Sequence, residues 1–77
     1  MKTYKANFLA NNGTRFMNPI EDTNLRRIVR SVRETAEGER FLNNECYWSV
    51  WILHPNGCEE TVAAGGMNSN GSRYRIK

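Results

Sequence analysis

The chain of 77 residues has a formal net charge of +3, from 11 basic and 8 acidic residues, and 39% of its residues are hydrophobic. This length fits one small domain and leaves no room for a deep enclosed active site beside a core. The composition excludes a disordered segment. No apolar run reaches the length of a signal peptide or a membrane span. This predicts a cytoplasmic protein without a membrane partner, with Cys46 and Cys58 as free thiols.

The first predicted element is a β-strand over residues 3–10, where apolar and polar side chains alternate. One of three Asn-Gly dipeptides follows, and both residue types tolerate the positive φ of a hairpin turn. The turn returns the chain into a second predicted strand over residues 14–17. A three-residue loop places Phe8 opposite Phe16, and we prefer it to a two-residue loop, which would place Leu9 there.

Apolar residues then recur at helical spacing, which predicts one amphipathic helix over about residues 24–37. The apolar stripe of this helix consists of Leu25, Ile28, Val29, Val32 and Ala36. Gly38 is the predicted stop, because glycine is common just after a helix. Glu21 and Asp22 precede the helix, where acidic side chains offset the positive end of the helix dipole.

The second half of the chain predicts three further strands. Residues 46–54 are rich in aromatic and β-branched side chains, residues 59–64 return after a Pro-Asn-Gly turn, and residues 72–77 form the last strand. The Gly- and Asn-rich residues 65–72 are predicted as a flexible loop. The sequence therefore predicts one α+β domain over residues 1–77, with an antiparallel sheet of about five strands (β-β-α-β-β-β) and the helix packed on one face.

No catalytic, metal-binding or cofactor-binding set is found in the sequence. His54 is the single histidine and precedes Pro55, so we interpret it as a polar residue beside a turn. In the predicted hairpin, Cys46 lies about 27 Å from Cys58 at ~3.3 Å per residue. This distance excludes a disulfide and a zinc site shared by both cysteines. The sequence predicts a non-enzymatic protein without a cofactor.

The sheet is predicted to present one face that the single helix does not cover. One tryptophan should therefore face the helix, and the other should not. If Tyr74 and Ile76 point to the core, the basic residues of the last strand lie beside Trp51 on the open face. The predicted binding face consists of Tyr47, Trp51, Arg73, Arg75 and Lys77.

Three kinds of partner fit this predicted face. Aromatic rings and cations together are typical of single-stranded nucleic acid binding, because bases stack on rings while cations follow the phosphates. The same face would also suit a protein partner or a second copy of the chain. Local cover of Trp51, by Phe41 and Leu42 or by the glycine-rich loop, is a further alternative. The sequence does not decide between these alternatives.

A second basic feature lies on the predicted helix. Arg26, Arg30 and Arg33 form a ridge beside the apolar stripe. We interpret this ridge as a solvated surface with Arg30–Glu34 and Arg33–Glu37 pairs, in preference to a dedicated anion-binding site.

Overall fold

The computed structural model describes residues 2–39 and 45–77, with only the backbone of Glu39. The elements are β1 (Tyr4–Ala10), β2 (Ile20–Asp22), α1 (Leu25–Glu39), β3 (Cys46–Leu53), β4 (Glu59–Met67) and β5 (Arg73–Arg75). Their order confirms the predicted α+β class and the β-β-α-β-β-β succession. The helix continues through Gly38, so the predicted stop at this glycine is wrong.

The strands form one antiparallel sheet in the order β2-β1-β3-β4-β5. The helix α1 carries the chain from β2, at one edge, across β1 to β3. It packs mainly on β1 and β3 and does not reach the backbone of β5 at the far edge. A groove therefore remains on the helix side of the sheet, between α1 and β5.

The core fills the space between α1 and the face of the sheet that it covers. Ile28, Val32 and Ala36 are the buried residues of the helix. The buried residues of the sheet in this cluster are Ala6, Phe8, Ala10, Cys46, Trp48, Val50, Ala63 and Met67. Trp48 is only 2% exposed and Trp51 lies on the opposite face, which confirms that one tryptophan faces the helix.

The start of α1 is fixed by side-chain hydrogen bonds. Asn24 is the N-cap, and its Oδ1 accepts a hydrogen bond from the backbone N–H of Arg27 at 2.9 Å. The Asp22 carboxylate accepts two hydrogen bonds from the Arg27 guanidinium, both at 2.6 Å, and one from the Asn24 N–H at 3.0 Å. The Arg27 guanidinium and the Asn24 N–H hold the pKa of Asp22 well below its ordinary value.

This depressed pKa predicts a pH-dependent contribution to stability. The contribution of Asp22 is present above its unfolded-state pKa of about 3.9 and is lost as the pH falls toward the folded-state value. We expect Asp22→Asn to lower the free energy of unfolding near pH 7. The difference from wild type should shrink progressively below about pH 4. Urea unfolding of both proteins across this range measures it, and a difference that stays constant would contradict the prediction.

The second strand lies further along the chain than the sequence predicts. The expected strand over residues 14–17 is not formed, and β2 is Ile20–Asp22 instead. The Asn7 side chain binds the backbone of Phe16 where hydrogen bonds between two strands were expected. Its Oδ1 accepts a hydrogen bond from the Phe16 N–H at 3.1 Å, and its Nδ2 donates one to the Phe16 carbonyl oxygen at 3.4 Å. The predicted contact between Phe8 and Phe16 is nevertheless formed, with ring centroids 4.9 Å apart.

The three Asn-Gly turns share one geometry. Each is a three-residue loop whose glycine has a positive φ of 89° to 91°. In each, the Asn Oδ1 accepts a hydrogen bond at 2.9 to 3.0 Å from the backbone N–H two residues further on. The three dipeptides are Asn12-Gly13, Asn56-Gly57 and Asn70-Gly71. The predicted three-residue loop with Gly13 in the left-handed region is confirmed.

A β-bulge changes the register between β3 and β4. Trp51 pairs with Thr61, as in a regular hairpin, but Val50 pairs with Ala63 because the register shifts by one residue. Val62 is the extra residue of the bulge. A regular register would have placed Ala64 on the helix side, and the bulge places Ala63 there instead.

The same bulge brings two glycines of β4 against large side chains. Gly65 lies opposite Trp48, and Gly66 lies opposite Tyr47. A Cβ on Gly66 would clash with the Cys46 carbonyl oxygen and lie 2.7 Å from the Tyr74 Oη. Residues 65–67 are buried and belong to β4, so the predicted loop over residues 65–72 is wrong for its first three residues.

Candidate functional site

The structure divides the predicted binding face between the two sides of the sheet. Arg75 lies opposite Gly65, which is itself opposite Trp48 of the core. Since alternate side chains of a strand share a side, Arg73 and Arg75 both lie on the helix side. The prediction that they lie beside Trp51 is wrong, because the alternation of the last strand is one residue out of phase with the one assumed.

Contacts made by the two arginines agree with this placement. The Arg75 guanidinium lies 5.3 Å from the Trp48 ring centroid, and its Nε donates to the Lys77 carbonyl oxygen at 2.9 Å. Arg73 donates two hydrogen bonds to the carboxylate of Glu37 on α1, at 2.8 and 2.9 Å. Arg73 is therefore neutralised by the helix, whereas Arg75 makes no ion pair within the described chain.

The open side of the sheet carries the aromatic part of the predicted face. Tyr47 lies opposite Leu9, and Gly66 separates Tyr47 from Tyr74. Leu9, Tyr47 and Tyr74 are 52%, 40% and 37% exposed. They form an exposed row on β1, β3 and β5, and on β4 the row passes over Gly66, which has no side chain. Burial of the phenol against Gly66 raises the pKa of Tyr74. The condition on which the predicted face depended, that Tyr74 points to the core, is therefore not met.

Few cations accompany these rings. Lys5 lies opposite Trp51 and forms an ion pair with Glu21 at 3.5 Å. Arg15 lines a shallow recess beside Tyr47. The backbone of Lys77 pairs with Ala64 of β4.

Trp51 is half-buried on the open side, and its indole N–H is buried. Among the described residues, no acceptor lies within hydrogen-bonding distance of this N–H. The predicted cover by Phe41 and Leu42 falls outside the described residues. Trp51 is therefore a poorer stacking platform than the exposed tyrosines of the same side.

The unsatisfied donor predicts the effect of a conservative substitution. Trp51→Phe removes a buried N–H whose desolvation costs about 1–3 kcal/mol, and it keeps much of the ring area. We therefore expect the free energy of unfolding to change by less than about 1 kcal/mol or to rise, while Trp51→Ala should lower it by more. Urea unfolding compares the two variants. A loss above about 2 kcal/mol in Trp51→Phe would show that the N–H is bound in solution.

The helix ridge and the last strand form the two walls of one groove. Arg26, Arg30 and Arg33 of α1 and Arg75 of β5 line a groove of ≈ 490 Å³, together with two apolar residues of the helix. We call this site the arginine groove. Arg33 and Arg75 also line an adjoining recess of ≈ 250 Å³ at whose far end the Arg73–Glu37 pair lies.

The positive charge of the arginine groove is not compensated within the described chain. The ion pairs formed by residues 2–38 and 45–77 use Lys5, Arg27, His54 and Arg73 as their cationic or titratable partners. The expected Arg30–Glu34 and Arg33–Glu37 pairs are not among them. Like charges three or four residues apart on a helix are destabilising by about 0.2–0.5 kcal/mol per pair. The groove therefore holds four cations at a small cost in stability.

Elsewhere the structure offers little chemistry. His54 Nε2 lies 2.7 Å from Glu60 Oε1, which lowers the pKa of Glu60, and both side chains are at least partly exposed. Cys46 is buried and Cys58 is exposed, and neither forms a disulfide within the described residues. Over the described ranges, no three or more His, Cys, Asp or Glu side chains are placed to hold a metal ion. The described helix lacks the length and apolar character needed to cross a membrane.

Comparisons with known proteins return no match. No protein-family model matches the chain, and no curated protein or solved structure matches it significantly. The function must therefore be argued from the arginine groove and the open side of the sheet.

Proposed function

We propose that this protein is a non-enzymatic binding module that holds the phosphate backbone of nucleic acid in the arginine groove. The observation that carries the proposal is that four arginines without carboxylate partners among the described residues line one groove, namely Arg26, Arg30, Arg33 and Arg75. The proposal moves the basic contact surface from the open side of the sheet to the helix side.

Guanidinium groups suit phosphate because their planar fork of N–H donors matches two phosphate oxygens at once. The size of the site indicates more than one phosphate. Arg26 and Arg33 are seven residues apart, which is about 10 Å along a helix at 1.5 Å per residue. Arginines spread over this length can each contact a different phosphate of one chain.

One of the four arginines is held in place before a ligand arrives. The Arg75 guanidinium lies on the Trp48 ring, and its Nε donates to the Lys77 carbonyl oxygen, whereas the other three arginines project from a helix packed on the core. Fixing the Arg75 side chain in advance lowers the conformational entropy lost on binding. In the adjoining recess, the charges of Arg73 and Glu37 neutralise each other.

Fluorescence anisotropy with a labelled mixed-sequence oligonucleotide tests the proposal. For four phosphate contacts, the slope of log K against log salt concentration is expected near −3.6 on duplex DNA, at about 0.9 per contact, and near −2.8 on a single strand, at about 0.7 per contact. Amide shifts in an NMR titration should cluster on residues 25–33 and 73–75. An absence of binding at about 50 mM salt, or a slope near zero, would contradict the proposal.

The same spectra test the alternative of a protein partner or a dimer on the open side. A dilution series without nucleic acid is the control. Shifts at Leu9, Tyr47 and Tyr74 that depend on protein concentration alone would identify self-association through this side. Shifts at the same residues that require nucleic acid would return the binding surface to the open side.

A further inference from the structure

The two sides of the sheet separate the two kinds of group that single-stranded nucleic acid binding combines. The exposed rings of Tyr47 and Tyr74 lie on the open side, and the arginine groove lies on the helix side. Proteins that bind single strands place stacking rings and cations along one surface, so that bases and phosphates of the same strand are contacted together. In this chain the four arginines of the groove lie on the other side of the sheet from the exposed rings, and the cations described beside the rings are Arg15 and Lys5, of which Lys5 is paired with Glu21.

The aromatic ring nearest the arginine groove is not available to a base. Trp48 is 2% exposed, and the Arg75 guanidinium lies over its ring at 5.3 Å. Tyr74 adjoins the recess beside the groove, but its ring lies against Gly66 on the open side. The groove therefore offers no stacking platform within the described residues.

The groove also lacks free side chains of the kinds that read adenine or cytosine. Asn and Gln read adenine through two hydrogen bonds, and Asp and Glu accept a hydrogen bond from cytosine. No Asn or Gln lines it, and the one acid nearby, Glu37, is bound by Arg73 through both carboxylate oxygens. What remains is a set of four arginines beside two apolar helix residues. Such a surface recognises phosphates, and its arginines are the only described lining side chains that could also read a base edge, at guanine O6 and N7.

From this we infer that the arginine groove binds the phosphate rows of a double helix, without regard to base sequence. The inference rests on the proposed function and specifies its ligand. A duplex presents one charge per about 1.7 Å of its axis, against about 3.4 Å for each of its strands. Because no ring in the groove stacks on an unpaired base, the higher charge density of the rigid duplex should make the groove prefer a duplex to a single strand.

The test compares one labelled mixed-sequence strand of about 16 nucleotides with its own DNA duplex and with the matching RNA duplex, all at one salt concentration. We expect at least one duplex to bind about fivefold or more tightly than the single strand. The affinities of further duplexes of unrelated sequence should agree within about threefold. Comparison of the DNA duplex with the RNA duplex identifies which of the two the groove binds more tightly.

The outcomes separate failure of this inference from failure of the proposed function. A single strand that binds as tightly as both duplexes, or a tenfold preference among sequences, overturns the inference and leaves phosphate binding intact. No binding of any of the three ligands overturns both. Tyr47→Ala is the matched control on the open side, and it should leave duplex affinity within about twofold. A larger loss would show that the open side takes part and would also overturn the inference.

Discussion

Replacement of Arg30, Arg33 and Arg75 together by glutamine is expected to weaken nucleic acid binding by about 10²- to 10³-fold at about 0.1 M salt. Each phosphate contact adds about 0.9 to the slope of log K against log salt, which corresponds to about eightfold in affinity at this salt concentration. Three lost contacts therefore multiply to about 500-fold. The magnitude of the slope should fall from about 3.6 to about 0.9, because only Arg26 would remain.

A charge-matched variant controls for the fall in net charge. Lys2, Lys5 and Arg15 lie outside the arginine groove, and their joint replacement by glutamine removes the same three charges. We expect it to change affinity by less than about tenfold, through the long-range field alone. Equal losses in the two triple variants would show that net charge, and not the groove, controls binding. Urea unfolding checks that both variants remain folded, since Arg75 also packs on Trp48.

Gly66→Ala should be the most destabilising single-methyl addition among the glycines of the chain. Its Cβ would meet the Cys46 carbonyl oxygen and the Tyr74 ring, with Oη at 2.7 Å. The Cys46 carbonyl oxygen cannot move away easily, because it is backbone of the paired strand β3, whereas the exposed Tyr74 ring can turn aside. Overpacking costs typically 1–3 kcal/mol, and we expect this substitution to cost about 3 kcal/mol or more.

Gly38→Ala is the matched control. Gly38 lies within α1, and a Cβ there would have no neighbour within 4 Å. Since alanine favours a helix over glycine by about 0.5–1 kcal/mol, this variant should gain stability by that amount. Urea unfolding of both variants measures the contrast. A Gly66→Ala protein as stable as wild type would mean that β3 and β5 do not pack on β4 as described.

Elements with local causes were predictable from the sequence. The helix is marked by the spacing of Ile28, Val32 and Ala36, and each Asn-Gly turn carries the residues that its positive φ demands. The division of the two tryptophans also follows from a local cause, because residues 48 and 51 differ by an odd number and must lie on opposite sides of a strand.

Features that depend on non-local packing were not predictable in the same way. Nothing in the sequence around Val62 signals a bulge, and yet this one residue decides that Gly65 lies beneath Trp48. The position of β2 depends on Asn7 binding the backbone of Phe16, a contact between residues nine positions apart.

The arginine groove shows the same limit. Arg33 and Arg75 are 42 positions apart in the chain. Their approach requires β5 to lie at the sheet edge, with its odd-numbered side chains on the helix side. The sequence pattern indicated the ridge of Arg26, Arg30 and Arg33, but it did not indicate that Arg75 forms the opposite wall. The sequence pattern also wrongly predicted Arg73 as a cation available to a ligand. Its ion pair with Glu37, which is distant in the sequence, could not be anticipated.

The two edges of the sheet bear on how the protein behaves when it is crowded. Each edge strand, β2 or β5, is three residues long, and each carries two charged side chains: Glu21 and Asp22 at one edge, Arg73 and Arg75 at the other. Unpaired backbone at a sheet edge is the template on which foreign strands add and fibrils grow, and short charged edges block this growth. A molecule that gathers many copies along a nucleic acid would bring such edges close together. We expect this protein to tolerate that crowding without forming continuous sheets between copies.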